Sequence, residues 1–190
     1  MIGKRALRSR FLALRKVIPE NARDRANAII FTRAITHKLF SSAAVVHCYV
    51  SMDSEVDSHR LIEHSLAQGK RVVVPIWTRG SSATVACEIS SLNSQDFVTG
   101  GFGLAVPRVV REVALSEVDL IFVPMLAFQP VSIDGADTTT AHRLGYGAGY
   151  YDRLLSRTSA PRIGLAFALQ RTDELMVEPH DQLLDEVITD

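Results

Sequence analysis

The stretch AAVVHCYVSMDSEVDSHRLIEHSLAQGKRVVVPIW, residues 43–77, decides the fold. It opens on an apolar run, AAVVHCYV (43–50), rich in the β-branched residues that suit a buried strand. The polar segment SMDSEVDS comes next, then a stretch from Arg60 to Gln68 that reads as a helix ended by Gly69, then a second apolar run, RVVVPIW (71–77). Neither run alternates with polar residues, so both strands are expected to be buried on two faces. Strands of that kind separated by helices form largely parallel sheets.

The same pattern continues outward. Upstream, Leu7, Phe11, Leu14 and Ile18 recur at helical spacing, Pro19 closes that helix, and a second amphipathic helix runs from about Asn21 to Leu39. Downstream, TVACEI (84–89), VDLIFVP (118–124) and RIGLAF (162–167) read as strands, Tyr150 to Arg157 as a helix, and VIT near the end as a last edge strand. The expected fold class is α/β: a three-layer, Rossmann-like arrangement with a mostly parallel sheet and helices on both faces. With 190 residues, 47% of them hydrophobic, one domain over 1–190 is expected.

Charge and composition narrow the function. The 21 basic and 21 acidic residues cancel, which removes a general electrostatic case for nucleic acid as partner. The ends are unlike, however: residues 1–16 carry Lys4, Arg5, Arg8, Arg10, Arg15 and Lys16 with no acid, whereas residues 171–190 carry seven acids against Arg171 alone. No apolar run reaches the roughly 18 residues of a membrane span, and no uninterrupted apolar stretch follows the basic N-terminus, so a cytoplasmic location is expected. Cys48 and Cys87 lie in separate apolar stretches without zinc-type spacing and read as buried thiols.

Ligands of such sheets sit beyond the carboxyl ends of strands. Two segments have that address: SMDSEVD after the first strand, and RLGYGAGYYDR (143–153), which follows the 118–124 strand and opens a helix. Gly145, Gly147 and Gly149 can take positive φ and turn backbone N–H groups toward an anion, Arg143 can hold a phosphoryl group bidentately, and Asp152 offers a hard oxygen for magnesium. The same glycines also suit an ordinary flexible turn. Lys4 and Arg8, four apart, share a helix face that either reaches phosphates or is simply solvated. Glu55 can accept paired hydrogen bonds from a guanidine-like heterocycle edge or cap the helix that follows.

Taken together, the K-x-x-x-R start at Lys4 and Arg8, YVSMDSEVD (49–57), GFGLAVP (101–107), DLIFVP (119–124), RLGYGAGYYDR, IGLAF with Gln170, and HDQLLDEVIT resemble the 5-formyltetrahydrofolate cyclo-ligase (methenyltetrahydrofolate synthetase) family over most of the chain. The resemblance implies a fold similar to the sugar-phosphate isomerase and CoA-transferase type. It also implies an ATP- and magnesium-dependent ligase that closes 5-formyltetrahydrofolate to 5,10-methenyltetrahydrofolate with release of ADP and phosphate. The formyl oxygen would attack the γ-phosphate, N10 would add, and phosphate would leave, a sequence that asks for positioning rather than a protein nucleophile.

Carried over by position, the resemblance makes Arg143 and Tyr151 catalytic. It assigns ATP to Lys4, Arg5, Arg8, Arg143, Leu144, Gly145, Tyr146, Gly147, Ala148, Gly149, Tyr150 and Tyr151. It assigns the folate to Val50, Met52, Glu55, Phe102, Tyr150 and Tyr151, and Mg2+ to Asp152 and Asp181. The partners implied are the two small molecules, with no nucleic acid and no membrane, and the protein acting as a monomer.

The chain departs from the family pattern in places. Phe128 and Arg143 are 15 residues apart where relatives use about six, so the connection 129–142 is expected as a surface loop about nine residues longer. Met125 and Gln129 replace the usual glycine and aspartate, Val106 a common glutamate, and Ala168 another. Two other readings stand beside the ligase: a relative that binds folate or nucleotide without turnover, and a different α/β enzyme with a similar phosphate nest.

Overall fold

The computed structural model describes residues 3–77, 84–100 and 105–190. In chain order its first elements are α1 (Lys4–Lys16), α2 (Glu20–Thr36), α3 (Lys38–Ser42), β1 (Val45–His47), α4 (His59–Ala67), β2 (Arg71–Trp77) and β3 (Thr84–Ile89). There follow β4 (Phe97–Thr99), β5 (Ala105–Pro107), β6 (Glu112–Val113), β7 (Leu120–Pro124), β8 (Ala127–Ile133), β9 (Ala136–Leu144), α5 (Tyr150–Leu155), β10 (Arg162–Leu165) and β11 (Glu186–Ile188).

Seven strands form one mixed sheet in the order β11-β10-β7-β1-β2-β3-β6. From β11 to β2 neighbours run parallel, with Val46 opposite both Leu120 and Val72. Beyond β2 the pairs β2–β3 and β3–β6 are antiparallel, and the six residues 78–83 between β2 and β3 are too few for the crossover that a parallel pair needs. The unbroken apolar runs are explained by alternation between two buried faces. Val46, Val72, Val74, Leu120, Phe122 and Ile163 pack with Ala26, Ile30 and Ala34 of α2 and with Leu61 and Ile62 of α4. Val45, Val73, Ile121 and Val123 face the other way, onto Leu154 and Leu155 of α5. Both cysteines are buried and free.

Several boundaries moved. The helix expected over 21–39 breaks at His37, whose extended backbone (ψ 135°) ends α2 while its Nδ1 accepts the Leu39 N–H at the start of α3. The apolar stripe of α1 also differs: Leu7 and Phe11 pack on Leu126, Ala127 and Leu144 as expected, but Leu14 is 38% exposed and Arg15 is buried. Positions 7, 11 and 15 fall four residues apart, so the face that docks carries a cation at its third turn.

The expected surface loop 129–142 is instead an antiparallel ribbon, β8 with β9, reversed at Asp134 and Gly135, whose φ values are 52° and 81°. Two consecutive positive φ values make the two-residue turn that matches strand twist, and Asp-Gly is a preferred sequence for it. Phe128 therefore lies directly opposite Arg143. A shorter ribbon, β4 with β5, packs Phe97 against the α2/α4 core.

Met125 is accommodated by a glycine on β10: a Cβ at Gly164 would overlap the Met125 Cε methyl and stand 2.7 Å from Leu184 Cδ1. No helix among the described residues is long and apolar enough to cross a membrane.

Candidate active site

The chain leaves β1 in two directions: β2 is added on one side after α4, and β7 on the other. Such a switch point opens a crevice at the strands' carboxyl ends. A cavity of about 540 Å³ occupies it, floored by Tyr49, Val50, Pro75 and Pro124 at the ends of β1, β2 and β7.

One wall is the 51–58 loop. Ser58 Oγ donates to the Tyr49 carbonyl (2.6 Å) and accepts the Ser51 N–H (2.9 Å), while the Tyr49 hydroxyl donates to the Val56 carbonyl (2.8 Å). These bonds draw the loop into a turn in which Met52 and Glu55 face the cavity. Glu55 does not cap α4; its Oε2 accepts the Met52 N–H at 3.0 Å, and its Oε1 accepts the Tyr146 hydroxyl at 2.7 Å. Burial raises the Glu55 pKa against the lowering effect of these two donors and of Arg15.

The opposite wall is the glycine segment with α1. Gly147 and Gly149 take φ of +104° and +66°, and Gly149 starts α5. Arg8 Nε donates to the Gly145 carbonyl (3.0 Å), and its guanidinium fits against Gly147, where a Cβ would stand 3.1 Å from Arg8 Cζ. The positive φ favours glycine here, and a Cβ would also crowd the Arg8 guanidinium. Arg143 is nearly fully buried: Nη2 donates to Asp152 Oδ1 at 2.7 Å and its Cζ lies 5.7 Å from the Tyr151 ring centroid. Desolvation pulls the Arg143 pKa down, opposed chiefly by the Asp152 carboxylate. The Tyr151 hydroxyl, also buried, is pushed well up by desolvation.

Lys4 closes the cavity's outer end by pairing with Glu178 and with Asp181 Oδ2 (2.7 Å). Burial works against the Lys4 charge, but its bonds to the two carboxylates outweigh burial and raise its pKa. Asp181 is likewise opposed by burial, yet Lys4 and the Glu178 N–H hold its pKa below the usual carboxylate value.

Of the residues singled out in the sequence, Lys4, Arg8, Val50, Met52, Glu55, Asp181 and the whole run from Arg143 to Asp152 line this one cavity. Arg5 does not: it is exposed on α1 and lies off the cavity. Phe102 lies outside the described residues. Glu178 and His180 were missed; with Asp181 they bring three potential ligand atoms within 4.8 Å of one another. Asp152 stands apart from that trio, its Oδ1 held by Arg143 and the Gln182 N–H. Arg15 was missed too, although its spacing from Leu7 and Phe11 carried the signal.

The profile of the 5-formyltetrahydrofolate cyclo-ligase family matches residues 1–190. A 5-formyltetrahydrofolate cyclo-ligase of Mycolicibacterium smegmatis is 33% identical over 98% of this chain and 93% of its own length, and one of Mus musculus is 30% identical over the same shares. The solved structure of Aquifex aeolicus 5,10-methenyltetrahydrofolate synthetase superposes with a TM-score of 0.80 at 26% identity, covering 97% of this chain and 88% of that one. The family match over the whole chain, with relatives at 30% identity and above, gives the identification: this chain belongs to the 5-formyltetrahydrofolate cyclo-ligase family.

Proposed function

We propose that the protein converts 5-formyltetrahydrofolate to 5,10-methenyltetrahydrofolate, consuming ATP in the presence of magnesium and releasing ADP and phosphate. The observation that carries this reading is that a single cavity joins an end built from arginine and lysine with carboxylates beside them, as a magnesium-bound phosphate chain requires, to the Glu55 carboxylate. Lys4, Arg8 and Arg143 line one side and Glu55 with Met52 the other. A triphosphate suits the first and a pterin the second.

A formamide oxygen is a poor leaving group, and phosphorylation converts it into a good one. The formyl oxygen attacks the γ-phosphorus, the bond to the β,γ-bridging oxygen breaks, and ADP leaves. N10 then adds to the formyl carbon and loses its proton, and the C–O bond breaks with departure of phosphate. The protein's part is alignment and charge stabilisation. Arg8, seated on Gly145 and Gly147, and the buried Arg143 present guanidinium groups to the phosphates. Glu55, with one hydrogen bond to each oxygen, keeps lone pairs for the two parallel N–H donors of a pterin edge. Tyr150 and Tyr151 line the same cavity.

The donor set fits a hard cation. Asp181 and Asp152 line the phosphate end, and Asp152 Oδ2 makes no hydrogen bond among the described residues. The residues that would hold magnesium are Asp181, with Glu178 adjacent, and Asp152, which is outside that cluster and would contribute through its free Oδ2 with the phosphates completing the set. Magnesium, when bound, would neutralise phosphate charge as the β,γ bond breaks. The test is incubation of purified protein with 5-formyltetrahydrofolate and Mg-ATP, following the methenyl product by absorbance. Product that requires ATP supports the reading, and its absence rejects it.

A further inference from the structure

We infer that Tyr146 and Arg15 are positioning residues for the folate side of the site: they fix the Glu55 carboxylate through a relay that runs from the buried end of α1 across the glycine segment. Tyr146 lies in the run that the family resemblance gives to ATP, yet its hydroxyl points to Glu55, the carboxylate read as the folate's acceptor. This inference rests on the reading of Glu55 as the pterin acceptor.

The relay is continuous. Arg15 Nη1 donates to the Met125 carbonyl (3.1 Å), Arg15 Nη2 donates to the Tyr146 hydroxyl (2.6 Å), and that hydroxyl donates to Glu55 Oε1 (2.7 Å). Because the guanidinium has no acceptor, it fixes the direction of every proton in the chain: Tyr146 must accept from Arg15 and can only donate to Glu55. The Met52 N–H holds the second carboxylate oxygen at 3.0 Å, so the carboxylate plane is set from both sides. Arg15 is 2% exposed, which makes its placement costly unless its charge is used. Its guanidinium also lies 5.7 Å from the Tyr146 ring centroid, so ring and hydroxyl are held by the same group.

Removing the Tyr146 hydroxyl would free Oε1 to rotate and take away a donor that favours the ionised form. The other charged or titratable groups facing Glu55 remain: Arg15 from α1, Asp53 from its own loop, Tyr49 beyond β1 and Tyr151 from α5. The Glu55 pKa therefore rises further, and folate affinity is lost at the acid end first.

The experiment is equilibrium binding of 5-formyltetrahydrofolate without ATP, and separately of Mg-ATP, to the wild-type protein, Tyr146→Phe, Arg15→Met and the double variant. Tyr146→Phe is expected to weaken folate binding about tenfold, with the acid limb of its pH profile shifted upward, and to leave ATP affinity within about twofold. If Arg15 acts through Tyr146, the double variant loses no more than the larger single loss. Unchanged folate affinity in Tyr146→Phe, or a loss confined to ATP, would overturn the inference even if Arg15→Met fails to fold. Wild-type protein that binds the folate without making product rejects the ligase reading alone, and wild-type protein that does not bind it rejects both.

Discussion

Phe128 and Arg143, 15 positions apart in the chain, are direct partners across the β8–β9 ribbon. The residues between them run out along one strand and back along the other, so the long connection still returns the arginine beside Phe128. The base is anchored on both edges: the Thr172 N–H donates to the Phe128 carbonyl, and Ala141 and Leu184 exchange backbone hydrogen bonds. Beyond Pro130 and Ala141 the register shifts, and none of the described residues of 127–142 lines the cavity. Replacing residues 131–140 by Asn-Gly should therefore give a two-residue turn on an intact base, with kcat/KM within about threefold of wild type. A loss beyond about tenfold would assign the ribbon a part in the reaction.

Lys4 and Asp181 neutralise one another across the cavity mouth. The folded Asp181 pKa is lowered, so its contribution is present above the unfolded value of 3.8 and is lost as pH falls through the folded value. Asp181→Asn should lower stability by up to about 1 kcal/mol at pH 7, with the difference from wild type fading below pH 3.8. Thermal unfolding across pH checks this; a difference that persists in acid excludes the ion pair as its cause.

His47 sits at the end of the central strand β1, fully buried, with neither ring nitrogen partnered among the described residues. Its ring meets the Tyr151 ring edge-on, with centroids 6.2 Å apart. Burial pushes its pKa down to about 4 from 6.5, so the unfolded chain takes up the proton first as pH falls. Destabilisation from this group starts near pH 6.5 and grows to on the order of 3 kcal/mol by pH 4. His47→Phe keeps the ring contact and should remove that loss. Chemical denaturation at pH 7.5 and pH 4.5 reads it as a change in the difference between the two proteins; a constant difference counts against a buried neutral histidine.

Gly164 and Met125 are coupled by space. Gly164→Ala forces the new methyl onto Met125 and Leu184 and should cost about 1–3 kcal/mol in denaturant unfolding. Met125→Ala in the same chain empties that volume, so the double variant should cost less than the sum of the single changes. Strict additivity would mean that the two side chains do not compete.

The layered fold was legible because burial on both faces leaves a mark on each residue in turn: RVVVPIW matches β2 at both ends, and TVACEI matches β3. The break at His37 and the ribbon at 127–144 were less legible. The first depends on one residue turning extended inside a helical pattern. The second was signalled by the Asp-Gly pair but hidden by the polar residues around it. Arg15 was read among the basic residues of the N-terminus, since the apolar spacing through Leu14 fits a helix as well as one through residue 15.

The sequence by itself determined the main strands of the sheet, the family and most of the residues that meet at the crevice, because those follow from local pattern and motif order. Only the tertiary structure decided which groups face each other within it. It placed Arg15 inside, turned the Tyr146 hydroxyl to Glu55, separated Asp152 from the Glu178, His180 and Asp181 trio, and left Arg5 outside. Those outcomes depend on the docking angle of α1 and the path of the glycine segment, where a rotation of one helical position exchanges a buried side chain for an exposed one.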